Sequence, residues 1–159
     1  MYIKIFFMKR NKNIVSLSQD HHFGLLCGWK VKKGIKNNIS YERIRKYVNF
    51  YWHTLLYEHF KAEEEILFPL GKHEYIDQAL REHIEIKELI EAINQVEEVM
   101  LLELFADLIT KHIRFEERIL FPYLEETLDE NTLNEVGKKL DAIHHDAEEE
   151  YEDEFWKIK

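Results

Sequence analysis

Hydrophobic residues recur every three to four positions along most of the chain, which is the period of helices that pack by one face. Five such segments are separated by polar turns. The first helix is predicted to begin where Ser16 and Gln19 have the form of a capping box, and to end at the break made by Gly34, Asn37 and Asn38. Its apolar stripe consists of Leu17, His21, Leu25, Gly28, Val31 and Ile35.

The next two segments have equally regular stripes. Ser40 is positioned to cap the second helix, which Pro69 and Gly71 should close. The inward stripe of the second helix is Ile44, Val48, Trp52, Leu55, His59, Glu63 and Ile66, and that of the third is Ile76, Leu80, His83, Ile86, Ile90 and Ile93. A turn is expected near residues 94–97, although no glycine or proline marks it.

The remaining stripes complete the predicted architecture. Pro122 should terminate or kink the fourth helix, because proline has no amide hydrogen to donate. The fourth stripe is Leu101, Phe105, Leu108, His112, Glu116 and Ile119, and the last is Leu133, Val136, Leu140, Ile143, Ala147, Tyr151 and Phe155. The pattern predicts an all-α protein, an up-down-up-down four-helix bundle with an additional C-terminal helix packed outside it.

Composition agrees with one helical domain. Of 159 residues, 45% are hydrophobic and 33% charged, and there are only 5 glycines and 2 prolines. We divide the chain into an N-terminal arm (1–15), the bundle (16–124) and a C-terminal helix (125–159). Residues 1–7 are interpreted as an upstream start or a loose arm, since Met8 begins a more ordinary polar start.

Charge and the chain's opening argue against several classes of partner. A net charge of -9 repels phosphate backbones, so no nucleic acid partner is expected. The opening MYIKIFF is too short for a signal-peptide core or a membrane span. The single cysteine, Cys27, cannot form an internal disulfide and is interpreted as a buried apolar residue. A cytoplasmic protein without a membrane partner is predicted.

Two segments of the chain repeat each other. HFKAEEEILFP at residues 59–69 and HIRFEERILFP at residues 112–122 are identical at seven of eleven positions. In each, a histidine and a glutamate four residues later lie on one helical face. A single such pair is most simply a surface ion pair, but these pairs lie on apolar stripes, where an uncompensated carboxylate would cost several kcal/mol. The repeat therefore predicts a buried cation.

His21 and His83 lie on the stripes of the first and third helices, so each predicted hairpin supplies a histidine and then an HxxxE pair. In an up-down-up-down bundle these donors meet at one level. The predicted metal ligands are His21, His59, Glu63, His83, His112 and Glu116. Four imidazoles and two carboxylates suit two iron ions with an oxide or hydroxide bridge, whereas structural zinc, calcium and magnesium prefer other donors. Manganese and zinc stay open as alternatives.

Other polar residues near the stripes have competing interpretations. His22 is the rival of His21, and Gly24 and Gly28 leave space either for a neighbouring helix, which we favour, or for a bound molecule. Four acidic residues are either partners of ligand imidazoles or, more simply, solvated charges: Glu58, Glu64, Glu82 and Glu117. Four histidines are interpreted as surface residues, with a seventh ligand among them left open: His53, His73, His144 and His145.

The motifs Asp20-His21, Glu82-His83 and the two HxxxE repeats ending in LFP resemble the hemerythrin-like HHE cation-binding family over about residues 16–124. The resemblance implies a non-heme di-iron centre bridged by Glu63 and Glu116, with terminal histidines. Such proteins carry, store or sense oxygen, and some handle nitric oxide or repair iron centres. Lys87 stands where oxygen carriers have a second histidine on the third helix, which favours sensing, redox or repair roles.

The resulting hypothesis is a cytosolic non-heme di-iron protein that binds or senses a small diatomic gas, oxygen or nitric oxide. It is a metal- and gas-binding protein more than an enzyme. The first alternative is a di-iron oxidoreductase or iron-centre repair protein, and the second is a metal-free helical interaction module. The sequence leaves the physiological ligand, a protein partner and the oligomeric state open.

Overall fold

The computed structural model describes residues 9–145 and 150–157, and every regular element within them is helical. Residues 1–7, interpreted from the sequence as an upstream start or a loose arm, lie outside this described part. The first helix, α1, spans Val15–Lys36. The second rod, residues 41–70, is continuous and consists of α2 (Tyr41–Tyr51), a π turn (Trp52–Leu56), α3 (Tyr57–Ala62), a second π turn (Glu63–Leu67) and a 3₁₀ turn (Phe68–Leu70).

The second half of the chain repeats this plan. Helix α4 spans Glu74–Gln95, so the turn expected near residues 94–97 is confirmed. The fourth rod, residues 99–127, consists of α5 (Val99–Phe115), a π turn (Glu116–Leu120) and α6 (Phe121–Thr127). A final helix, α7, spans Glu130–Ile143. The fold class is confirmed: the described chain is a helical bundle with an extra C-terminal helix.

The four long rods form a closed bundle. Helix α1 packs on α2 and α5, and α4 packs on the same two neighbours. Short connections link successive rods, which is the arrangement expected for antiparallel neighbours. No helix within residues 9–145 and 150–157 combines the length and apolar character needed to cross a membrane.

The ends of α1 differ from the prediction. The N-cap is Ile14, which makes no side-chain cap bond, so the capping box at Ser16 is wrong. The buried Ile14 side chain anchors this start instead, by packing into the core. Gly34 lies inside the helix, and the true break follows at Asn37 and at Asn38, whose φ of 54° is left-handed. Asparagine tolerates this conformation better than most residues.

Two of the three glycines of α1, Gly24 and Gly28, serve close packing against α5. A Cβ atom on Gly24 would lie 2.3 Å from Cδ1 of Ile113, and one on Gly28 would lie 2.7 Å from Oγ1 of Thr110 and 3.2 Å from the carbonyl oxygen of Ala106. All three neighbours belong to α5. The contacts support the favoured interpretation, in which these glycines admit a neighbouring helix.

The π turns shift the apolar stripes by one residue. Ile119 was expected in the core but is 44% exposed, while Leu120 is fully buried. In the same way, Ile66 is half-buried and its neighbour Leu67 is fully buried. Because a π turn contains more residues than an α turn, the next residue along the chain takes the inward-facing position.

The two LFP motifs end differently. Pro69 lies in the 3₁₀ turn that Gly71 terminates, as predicted, and Ser40 is the N-cap of α2, although its side chain makes no cap bond. Pro122 does not terminate its helix, which continues to Thr127. It lies in the first turn of α6, directly after a π turn, where a missing amide hydrogen is tolerated.

The predicted C-terminal helix is shorter than its stripe. Asp129 caps α7 by accepting from the amide of Thr132, and the helix ends at Ile143, which is 49% exposed. Tyr151 and Phe155 are not helical and pack their rings against the bundle. The prediction of one helix through residues 133–155 is therefore wrong, and Ala147 of its stripe lies outside the described residues.

The core consists of two apolar clusters. The first, the upper cluster, includes Cys27, which is fully buried as predicted, together with Val48, Ile90 and Phe105. The second, the lower cluster, includes Leu17, Phe68, Ile76, Phe121 and Val136. Buried polar residues lie where the two sets meet along each rod. This polar layer holds the candidate site.

Candidate metal centre

All six residues predicted as ligands meet in the polar layer. Each is at most 5% exposed, and the carboxylates of Glu63 and Glu116 are fully buried. They are His21 of α1, His59 of α3, Glu63 and Glu116 at the starts of their π turns, His83 of α4 and His112 of α5. The sequence repeat is thus also a structural repeat, because both glutamates open a π turn.

Glu63 lies at the centre of the cluster. Its Oε1 is 2.8 Å from Nε2 of His59 and 3.5 Å from Nε2 of His21. Its Oε2 is 3.0 Å from Nε2 of His83. Glu63 therefore belongs to both groups whose atoms lie close enough to hold one cation: Glu63, His83, His112 and Glu116, and His21, His59 and Glu63.

Glu116 has a comparable position. Its Oε1 contacts Nε2 of His112, and the same oxygen is 3.9 Å from Nε2 of His21 and 4.0 Å from Nε2 of His83. Both carboxylates therefore face imidazoles from both hairpins. This arrangement suits two adjacent cations that share carboxylates.

Three of the imidazoles have an acidic partner on the side away from the cluster. Their Nδ1–H groups donate as follows: His59 to Asp20 at 3.0 Å, His112 to Glu82 at 2.9 Å and His21 to Glu117 at 2.6 Å. A proton held on Nδ1 leaves the Nε2 lone pair facing the centre, which is the form of imidazole that binds a metal. The outer carboxylates therefore orient the rings for cation binding.

The fourth imidazole is held differently. Nδ1 of His83 is 3.8 Å from Glu64, too far for a hydrogen bond, and Glu64 is 3.7 Å from the ammonium group of Lys87. The ring is fixed instead by Phe60, which stacks on it with ring centroids 3.7 Å apart. Lys87 is 38% exposed and lies outside the cluster.

The sequence only partly identified these outer partners. Glu82 and Glu117 were more simply interpreted as solvated charges, but both hold ligand imidazoles, whereas Glu58 is exposed. Asp20 was not proposed as a partner at all. A signal was present, since the Asp20-His21 and Glu82-His83 dipeptides are equivalent, and each acid holds the histidine of the next rod.

The other histidines lie outside the two cation groups found among the described residues. His22 is half-buried with its ring edge-on to Phe23, so His21 is the one that faces the centre. His73 accepts from the amide of Tyr75 at the start of α4. His53 and His145 are exposed, and His144 lies 3.1 Å from Asp20.

The site groups influence each other's protonation. Burial by itself would lower the pKa of His59, but the carboxylates of Glu63 and Asp20 raise it well above its usual range. The pKa of His112 is raised to about 10, because Glu116 and Glu82 outweigh the effect of burial. Burial would raise the pKa of Glu63, but the surrounding imidazoles hold it well below its usual range.

Several polar atoms of the cluster are buried without a hydrogen-bond partner. Both carboxylate oxygens of Glu63 and of Glu116, and Nε2 of His83 and His112, are buried without a well-directed hydrogen bond. Nε2 of His21 also faces Nε2 of His59 at 3.1 Å. Lone pairs that converge in a buried layer are costly unless a positive charge lies between them. The residues present therefore fit a metal ion, and their assignment as ligands stays a prediction.

We expect metal binding at pH 7 to release protons. In the metal-free protein the pKa of His112 is raised to about 10, so this ring is protonated at pH 7, and the pKa values of His21 and His59 are raised as well. Metal binding requires the neutral form of each ring. Affinity should therefore increase with pH up to the region of pH 10 set by His112. Anaerobic calorimetric titration with Fe²⁺ in two buffers of different ionisation enthalpy measures this, and equal apparent enthalpies would contradict it.

The chain is similar to a known protein family. Residues 20–124 match the model of the hemerythrin HHE cation binding domain. That stretch contains all six side chains of the cluster and the three carboxylates that hold their rings. No curated protein and no solved structure matched the chain.

Proposed function

Because this chain belongs to the hemerythrin HHE cation-binding family, we propose that it is a cytosolic protein that binds two iron ions and, through them, binds or senses oxygen or nitric oxide. The observation that carries this proposal is the cluster itself. Six buried donor side chains converge in one layer, and the oxygens of Glu63 and Glu116 make no well-directed hydrogen bond.

We assign the ligands by their grouping. His21 and His59 would hold one ion, His83 and His112 would hold the other, and Glu63 would be shared by both. Glu116 lies close enough to both sets to be shared as well. This mixture of nitrogen and oxygen donors favours iron, with manganese and zinc as the alternatives. When bound, the metals supply redox activity and exchangeable positions for a small ligand.

The chain's own residues determine how the site behaves. Asp20, Glu82 and Glu117 fix three rings through Nδ1, so these imidazoles keep their orientation. Phe60 covers the ring of His83, and apolar clusters above and below exclude water from the layer. A small neutral gas enters such surroundings at a lower desolvation cost than an ion does.

One observation favours the alternative of an oxidoreductase or an iron-centre repair protein. Lys87 points to Glu64 at the edge of the site and contributes no seventh donor. A metal ion with fewer protein ligands has more exchangeable positions and is oxidised more easily. The two proposals share the same metal ligands and differ in whether the site only binds a gas or catalyses repeated conversion of a substrate.

The deciding experiment starts from protein purified from iron-replete cells. Elemental analysis is expected to give about two irons per chain, as in other bundles of this type. Absorption spectra recorded under nitrogen, then with oxygen or nitric oxide, then under nitrogen again should change reversibly. Turnover with an electron donor, without a reversible gas complex, would favour the oxidoreductase. Absence of metal would leave only the helical interaction module.

A further inference from the structure

Arg10 is a buried cation from outside the matched domain. It precedes α1 and lies ten positions before residue 20, where the family match begins. Its side chain is nevertheless only 2% exposed. An arginine stays charged at any ordinary pH, and a buried guanidinium is costly unless its donors are satisfied by acids. Its partners therefore indicate what this residue does.

The guanidinium holds the segment that carries Glu117. Nη2 of Arg10 donates to Oε2 of Glu117 at 2.9 Å and to the backbone carbonyl of the same residue at 2.7 Å. Nη1 pairs with Glu125 of α6. The guanidinium carbon also lies 5.4 Å from the ring centroid of Phe121. Three residues of the fourth rod are thus fixed by one side chain.

Two of these three residues contact the candidate ligand His21. Oε1 of Glu117 accepts from Nδ1 of His21 at 2.6 Å, while its other oxygen is held by Arg10. The ring of Phe121 stacks on the imidazole with centroids 5.3 Å apart and planes 20° apart. The hydrogen-bonded connection from Arg10 to the ring of His21 therefore runs through Glu117.

The other outer carboxylates have weaker partners. Asp20 meets the part-buried ring of His144 at 3.1 Å, and Glu82 meets the neutral amide of Gln78 at 3.3 Å. Glu64 lies 3.7 Å from Lys87, whose side chain is 38% exposed. Among these outer carboxylates, only Glu117 is held by a buried guanidinium. The support is therefore asymmetric between the two halves of the site.

We propose that Arg10 is a positioning residue that fixes His21 through Glu117, so that the metal held by His21 and His59 is retained more firmly than it would be without this arginine. The metal held by His83 and His112 does not depend on Arg10. This inference rests on the proposed metal-binding function. It adds a determinant of metal retention that lies outside residues 20–124, the stretch that matches the family model.

The test is the loss of Fe²⁺ to an excess of chelator under nitrogen. In Arg10→Met, the iron held by His21 and His59 should leave at least about tenfold faster than in the wild type, which lowers the barrier to its loss by about 1.4 kcal/mol. The iron held by His83 and His112 should leave at the wild-type rate. Glu117→Gln should have the same effect. The double variant should be no faster than Glu117→Gln alone, because both changes break one connection. Additive acceleration would overturn the proposal.

Glu125→Gln is the matched control. It weakens the second ion pair of Arg10 but alters no group that contacts His21. We expect it to lower thermal stability and to leave both iron-loss rates within about twofold of the wild type, a difference below about 0.5 kcal/mol. If Arg10→Met and this control both accelerated the loss of both irons to the same extent, Arg10 would act only by holding the fold together, which would overturn the proposal.

A second readout needs no bound metal. In metal-free protein with ¹⁵N-labelled histidine, Arg10→Met should shift the Nδ1 resonance of His21 and leave that of His112 in place. Where Arg10→Met does not fold, Arg10→Lys keeps the charge without the two-pronged geometry and should give an intermediate rate. If Arg10→Met lost iron at wild-type rates and its His21 signal did not shift, the inference about Arg10 would be overturned while the proposed function stood. If the wild-type protein itself bound no metal, the proposed function would be overturned.

Discussion

Glu63→Ala is expected to strip most of the metal from the protein and to lower its unfolding temperature. Glu63 belongs to both candidate cation groups, and its two oxygens lie 2.8 Å and 3.0 Å from Nε2 of His59 and of His83. Metal that binds only the folded chain stabilises it, by about 2.7 kcal/mol for each site held at a hundred times its dissociation constant. Loss of the shared ligand removes that stabilisation. Elemental analysis and thermal unfolding measure the two effects.

Glu116→Ala should behave in the same way, because Glu116 holds the equivalent position in the repeat. The matched control is Glu65→Ala, in the same π turn as Glu63 but with an exposed side chain. We expect this control to keep its metal and its stability. Unchanged metal content in both Glu63→Ala and Glu116→Ala would rule out the ligand assignment.

Phe60→Ala should destabilise the protein by about 3–5 kcal/mol, the usual range for removal of a buried aromatic ring. Phe60 is 1% exposed and belongs to the upper apolar cluster. Its ring lies face to face with His83 at 3.7 Å and edge-on to His112 at 5.7 Å. The change should also weaken metal binding, because the ring of His83 loses its main support. Chemical denaturation of metal-free and metal-loaded protein separates the two effects.

Phe60→Leu provides the comparison for this second substitution. Leucine keeps much of the buried volume but cannot stack on an imidazole, so we expect a smaller loss of stability together with a clear loss of metal affinity. If both variants bound metal as tightly as the wild type, the stacking of Phe60 would have no role in positioning His83.

The sequence predicted the fold and the convergence of six polar side chains in one buried layer for the same reason. His21, His59, His83 and His112 occupy places on apolar stripes that only a buried residue should take, so periodicity alone directs them inward. The duplication of the HxxxE motif then separates this arrangement from an ordinary surface ion pair.

The features that the sequence did not reveal are those whose geometry leaves no local pattern of residues in the sequence. The π turns that bury Leu67 and Leu120 in place of Ile66 and Ile119 have no residue signature of their own. Pro122 was expected to terminate or kink its helix, but the helix continues to Thr127. The sequence rule for proline could not anticipate this, because it does not include a π turn directly before the proline.

Partners distant in sequence were equally hidden. Arg10 and Glu117 are 107 positions apart, and nothing in either segment links them before the chain folds. The C-terminal prediction failed for a related reason. The stripe from Leu133 to Phe155 has helical spacing, but its last part packs on Tyr47 as an irregular segment.

The polar layer between the upper and lower clusters has a consequence in the cell. Small apolar units cannot sustain a fold alone, so the two halves of the core depend on each other across the charged layer that joins them. On the proposed metal-binding function, a chain without its metal would open more often and be degraded by quality-control proteases. Metal supply would then set the abundance of the protein.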